Sequence, residues 1–337
     1  MNILFSFLTI LVLIIAVIIG AGTIKLEFLF GVIFPYTAIS IFIVGIISQV
    51  IKWARSPVPF HIPTVAGQQK SLPWIKSSKL ESPSTTLGVI GRMLLEILLF
   101  RSLFRNTKVE FRNSSIKEKN GPKLAYGSTK YLWLGAIVFH WSLLIIFLRH
   151  FRFFTEPIPA FVLMLQNIDG FFQIGLPILY VTDILISIAL LFLIFRRITD
   201  AKLRYISLAS DYFPLFLILS VATTGILMRY FDKVDIIKAK ELAVGLFSFH
   251  PVVAEGIGIL FYIHLFLVCT LISYFPFSKL LHMAGIFLSP TRNLANNSRE
   301  KRHVNPWNHP VRVHTYEEYE DEFRDKMKAA GLPLDKE

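Results

Sequence analysis

Six long runs almost free of charge decide what this chain can fold into. Residues 3–21, 28–51, 131–149, 171–195, 212–230 and 252–275 each approach or exceed the roughly 20 apolar residues that carry a helix across a bilayer. A helix is the form in which a lipid-embedded backbone satisfies its own hydrogen bonds within one segment. A water-soluble fold of 337 residues does not accumulate such runs. Here 54% of the chain is apolar and 17% charged, against about 25% charged in ordinary globular domains. The expected fold class is an all-α membrane protein with six transmembrane helices. The first run has no Lys or Arg before it and no A-x-A site after it, so it reads as an uncleaved anchor.

The net charge of +12 would suit nucleic acid if it were gathered on one polar domain, but the basic residues are spread between the apolar runs. Membrane orientation explains them better. Of the 35 Lys and Arg, 28 fall in the alternate segments 52–130, 196–204 and 279–336, which predicts a multi-pass protein of the cell membrane with both termini in the cytoplasm. Four regions follow: two N-terminal spans (1–52), a cytoplasmic loop (53–130), four further spans (131–288) and a cytoplasmic tail (289–337). Within the loop, residues 86–104 mix Leu, Ile, Phe and Met with Arg92, Glu96 and Arg101, a pattern for an amphipathic helix at the interface. The polar tail forms no core of its own, yet Trp307, Tyr316, Tyr319 and the acidic run 317–322 suit docking on a protein.

Chemistry enters through histidine. Ionisable groups at membrane depth are costly and mark function. His140 and His150 lie on the third run, His264 is mid-way along the sixth, and His282 follows its end. Ten residues of helix separate two side chains by roughly 15 Å and eighteen by roughly 27 Å, so neither pair on one span can hold one ion. With the two spans antiparallel, His140 meets His282 toward the cytoplasm and His150 meets His264 toward the outside. On an ideal helix eighteen residues return to nearly the same face, whereas ten fall about 80° short. Each pair offers two nitrogens, too few for zinc, which takes four ligands, but enough for a heme iron that needs only axial ligands. Two stacked b hemes would form an electron path across the bilayer. The lone Cys269 excludes an internal disulfide, a cysteine-held iron–sulfur cluster and a C-x-x-C-H heme attachment. His250, next to Pro251, is a rival ligand better suited to a polar interface role, and His61, His303, His309 and His314 read as solvated surface groups.

These histidines, with the ending FPFSKLLH at 275–282, resemble the nitrate reductase gamma-subunit family of membrane cytochromes b. The resemblance is specifically to its Hdr-like branch, the heme subunits of the menaquinol-oxidising complexes of sulfate reduction. It is carried by GQQKSLPWIKSSK (67–79), TLGVIGRM (86–93), FRSLFRNT (100–107), FHWS (139–142), LRH (148–150), RFFTEP (152–157) and DYFPLF (211–216). The resemblance implies two b hemes held by His140, His150, His264 and His282. It also implies menaquinol as substrate and a cytoplasmic iron–sulfur partner resembling heterodisulfide reductase, among the other subunits of a respiratory complex. A quinol pocket near the outer heme would need polar groups to receive protons, and Arg152, Glu156, Asp169, His250 and Glu255 are the candidates. Two other readings compete: a proton or ion transporter using the histidines with Asp183 as relay, and a structural anchor for cytoplasmic subunits.

Overall fold

A computed structural model describes residues 1–56, 67–112, 123–172, 177–253, 255–289, 291–298 and 312–336. His61, His303, Trp307 and His309 lie outside the described residues.

Apolar runs become helices wherever nothing interrupts them. Helix α1 (Asn2–Val17) continues through a π-helical segment, Ile18–Thr23, and α2 (Phe34–Ala54) is preceded by another, Leu29–Ile33. The loop that follows forms α3 (Thr86–Leu99), α4 (Arg101–Arg105) and an antiparallel hairpin of β1 (Thr107–Arg112) and β2 (Lys123–Ser128), with Thr107 opposite Ser128. The interfacial stretch is thus two helices, not one. α3 is inverted relative to a soluble helix: Arg92 and Glu96 are buried against protein, while Leu87, Ile90, Leu94 and Leu98 are exposed.

Helix α5 (Lys130–His150) is followed by α6 (Ala160–Asp169), the short antiparallel strands β3 (Gly170–Phe172) and β4 (Leu179–Tyr180), and α7 (Val181–Thr199). Within the run at 171–195, helix α7 begins at Val181. Pro177 lacks the N–H that a helix interior needs, and the start of α7 is capped from outside, where Asp169 Oδ1 accepts the Thr182 N–H at 2.9 Å. Then come α8 (Ala201–Ile206), α9 (Ala209–Tyr230), α10 (Ile236–Phe247), α11 (Ile259–Tyr274), α12 (His282–Gly285) and α13 (Tyr316–Ala329). A capping box on Thr315 and Glu318 opens α13, and the chain folds back so that Asp335 and Lys336 donate their N–H groups to buried Glu320. The described end of the tail, 312–336, is more ordered than its polarity suggests.

Among the described residues, five helices are long and apolar enough to cross a membrane: Asn2–Thr23, Leu29–Ala54, Lys130–Phe153, Ala209–Tyr230 and Ile259–Phe277. Their outer faces carry exposed Phe5, Ile15, Ile43, Val44 and Phe147, a surface suited to lipid. This is a multi-pass, all-α membrane protein with a small hairpin on one loop. α7 spans about 28 Å at 1.5 Å per residue and presents the exposed stripe Ile184, Ile188, Leu191 and Phe195. It also carries Asp183, Arg196 and Arg197.

Two apolar cores hold the bundle. One joins α1, α2, α9, α10 and α11 through Ile10, Leu217, Leu242 and Leu267, and the other joins α5, α7 and α9 through Phe139, Ile186, Leu190 and Ile218. α5 packs on α7, α7 on α9, and α9 on α11. α5 and α11 are not packed on each other along their lengths, and the four histidines bridge this separation.

Candidate functional site

A neutral imidazole can bind a metal through one nitrogen only if the other carries the proton. Nδ1 of His140 lies 2.7 Å from the Ala136 carbonyl, that of His150 2.7 Å from the Ile146 carbonyl, and that of His282 2.7 Å from the Lys279 carbonyl. A carbonyl only accepts, so these Nδ1 atoms donate and leave Nε2 with its lone pair. Nδ1 of His264 instead meets Thr224 Oγ1 at 2.9 Å. That hydroxyl also reaches the carbonyls of Ser220 (2.8 Å) and Val221 (3.0 Å). Its single proton goes to a carbonyl, so it accepts from His264, whose Nε2 is free like the others.

The structure brings the histidines together in two pairs. The rings of His140 and His282 have centroids 6.0 Å apart and planes at 83°, and those of His150 and His264 are 6.4 Å apart at 8°. With metal–nitrogen bonds of roughly 2 Å, imidazoles on opposite sides of one iron have centres about 6.3 Å apart. The residues fit a bis-imidazole group at both levels. Gly225 lies beside the His150–His264 pair: a Cβ there would stand 3.4 Å from His264 Cε1, at ordinary contact. Among the described residues no three His, Cys, Asp or Glu side chains cluster closely enough to hold an ion without further ligands.

One expectation needs correction. Eighteen residues of continuous helix do not separate His264 from His282, because α11 ends at Tyr274. Pro276 sits in a short 3-10 turn (Phe275–Phe277), Ser278 is extended, and a second turn (Lys279–Leu281) leads to His282. The irregular turns re-aim His282, so the 80° mismatch of an ideal α5 does not have to be absorbed by that helix.

At the far end of α5, next to His150, lies a buried charge network. Arg149 makes 3.0 Å ion pairs with Asp169 and with Asp183, and its guanidinium stacks 3.7 Å from the centroid of Tyr180. Asp169 also accepts from the Thr182 hydroxyl at 2.6 Å, and Tyr230 donates to Asp183 at 2.7 Å. Arg229 stacks on the other side of this cluster, 4.1 Å from the Tyr180 centroid. Of the five proton-site candidates, only Asp169 belongs to this network. Glu156 pairs with Lys240, Arg152 lies over the Phe153 ring, and the Glu255 carbonyl accepts from Lys238. The His250 ring turns to its own neighbour, the Ser248 carbonyl at 2.8 Å. Sequence reasoning missed Arg149, which counts as an ordinary flanking charge, and Thr224, which is inconspicuous in an apolar span.

The opposite end is closed by the loop. Trp133 and Trp141 of α5 donate to the carbonyls of Leu99 (2.7 Å) and Leu98 (3.1 Å) at the end of α3. The Phe100 ring stands edge-on to His140, with centroids 4.9 Å apart. Buried Arg92 ties α3 to the carbonyls of Thr291 (3.2 Å) and Leu294 (3.3 Å), and burial lowers its pKa from the ordinary arginine value.

Residues 94–297 match the family described as nitrate reductase gamma subunit. Two curated relatives are both named Hdr-like menaquinol oxidoreductase cytochrome b-like subunit. The one from Archaeoglobus fulgidus is 45% identical over 286 residues, covering 83% of each chain, and the one from Archaeoglobus profundus is 43% identical over 280 residues, covering 81% of each. All four paired histidines fall inside the family match.

Proposed function

This chain belongs to the nitrate reductase gamma-subunit family, in its Hdr-like branch, and on that premise we propose that it is the di-heme b subunit of a menaquinol-oxidising respiratory complex. The observation that carries the proposal is the two facing imidazole pairs, at the spacing one iron requires and with every Nδ1 engaged. His140 with His282 would hold one heme and His150 with His264 the other. Bound there, a heme accepts and donates single electrons at a potential that the protein sets.

What the chain itself contributes is orientation and environment. Three backbone carbonyls and Thr224 hold the Nδ1 protons, which fixes the tautomer of each ring and leaves Nε2 for a metal. The separation of α5 from α11 keeps the paired rings apart while α7 and α9 tie the bundle together. In this reading all six apolar helices cross, the loop and both termini are cytoplasmic, and the His150–His264 pair lies toward the outside. Quinol oxidation there releases two protons and two electrons. The His140–His282 level would face a cytoplasmic iron–sulfur partner resembling heterodisulfide reductase, to which the electrons would pass, and a place in sulfate reduction is part of the same proposal. The loop and the tail form the surface for that partner. The transporter reading finds little support, since Asp183 is locked between Arg149 and Tyr230 and is poorly placed to relay ions.

The test is optical. Purified protein should be red, with reduced b-type bands that appear on adding a menaquinol analogue. A colourless protein, or one whose bands ignore the quinol, overturns the proposal.

A further inference from the structure

Resting on the ligand reading above, we propose that Phe100 is a positioning residue for the loop-side site, a clamp through which the loop sets the environment of His140. Phe100 sits between α3 and α4 with φ 48° and ψ 47°, the left-handed region that a bulky side chain seldom enters. Glycine is the usual residue at such a helix end. A phenylalanine there needs a reason in its ring, because its backbone gains nothing from it. Sustained backbone strain of this kind clusters at functional sites.

The surroundings over-determine the strained turn. The two tryptophan N–H groups hold the last carbonyls of α3. Glu96 accepts the Ser102 N–H at 3.2 Å and pairs with Arg292 at 2.9 Å, and Arg292 also donates to the Ser102 hydroxyl at 2.6 Å. Asn296 donates its N–H to the Pro83 carbonyl at 2.7 Å. Segments from both ends of the chain thus fix one turn, and its ring is delivered edge-on to His140 at 73°. With Phe139 on another side, also at 4.9 Å, Phe100 limits how the imidazole can rotate and shields it from water. A dry site disfavours the extra positive charge of an oxidised iron centre, so the clamp raises the potential at this level. The same α3–α4 and 291–296 segments lie on the side proposed for the partner, so a protein seated there would press on this clamp.

The experiment is a redox titration of membranes containing the full-length protein with Phe100→Gly, Phe100→Leu or Phe100→Trp, alongside His140→Ala to identify the loop-side heme. Phe100→Gly removes the ring and accepts the left-handed turn freely. It should keep two hemes, yet lower the midpoint potential of the loop-side heme alone and alter its low-temperature absorption band. Phe100→Leu should do the same in part, and Phe100→Trp should restore most of the native value. If Phe100→Gly leaves both potentials unmoved, or moves them equally, while His140→Ala loses one heme, the clamp is wrong and the ligand reading stands. If His140→Ala keeps both hemes, the ligand reading falls and the clamp with it.

Discussion

The two histidine pairs offer the same ligands in different housings. The His150–His264 pair is set by helix packing. Both rings project from regular helices, their planes are nearly parallel at 8°, and their surroundings are other spans, with Thr224 and Gly225 on one side and the Arg149 network on the other. The His140–His282 pair is half loop-built. His282 follows two 3-10 turns, the planes cross at 83°, and Phe100 arrives from a capping loop held by the segment at 291–296. The difference teaches that one level is fixed by the bundle, while the other is exposed to whatever rearranges the loop face.

The comparison breaks most visibly at Arg149. Replacing it with Ala strands Asp169 and Asp183 in a buried site, and removing one partner of a buried ion pair costs about 3–5 kcal/mol. Thermal unfolding of the detergent-solubilised protein should show a large drop, with the His150–His264 heme lost on heating before the other. Equal loss of both hemes would mean that the network braces the whole bundle and not one level.

A smaller effect is expected at Thr224. Val keeps the shape but removes the hydroxyl that accepts the His264 Nδ1–H, at a cost of up to about 1–3 kcal/mol for a buried donor. The His150–His264 heme should bind more weakly and change its spectrum, with Thr224→Ser restoring both. A spectrum that changes equally at the other level would deny Thr224 its site-specific role. Smallest is Gly225→Ala, which adds a methyl 3.4 Å from His264 Cε1. A methyl at that distance makes ordinary van der Waals contact with the ring, so a slight spectral shift confined to the same heme is expected in the purified protein. No shift at all would show that His264 has slack.

Much of this was legible in the sequence because it depends on long-period features. Charge-free runs specify spanning helices, and the histidine spacings pair correctly once the spans are antiparallel. What escaped was local. The expected span begins at 171, but Pro177 and the β3–β4 pairing keep Phe171, Phe172, Leu179 and Tyr180 out of α7. Helices α6 and α10 carry too few residues to stand out between longer runs. Arg149 looks like a flanking charge because its partners lie 20 and 34 residues away, and only folding brings Asp169 and Asp183 to it. Phe100 gave no sign at all, since a left-handed phenylalanine is invisible until the turn that holds it is seen.

The central claim is that each facing pair holds one heme. Heme-to-chain stoichiometry tests it most directly, measured on purified native protein and on His150→Ala, His282→Ala and His250→Ala. Two hemes per chain in the native protein and in His250→Ala, with one in each of the other two and a different absorption band missing from each, is the predicted result. Two hemes surviving in His150→Ala, or one lost in His250→Ala, would contradict it.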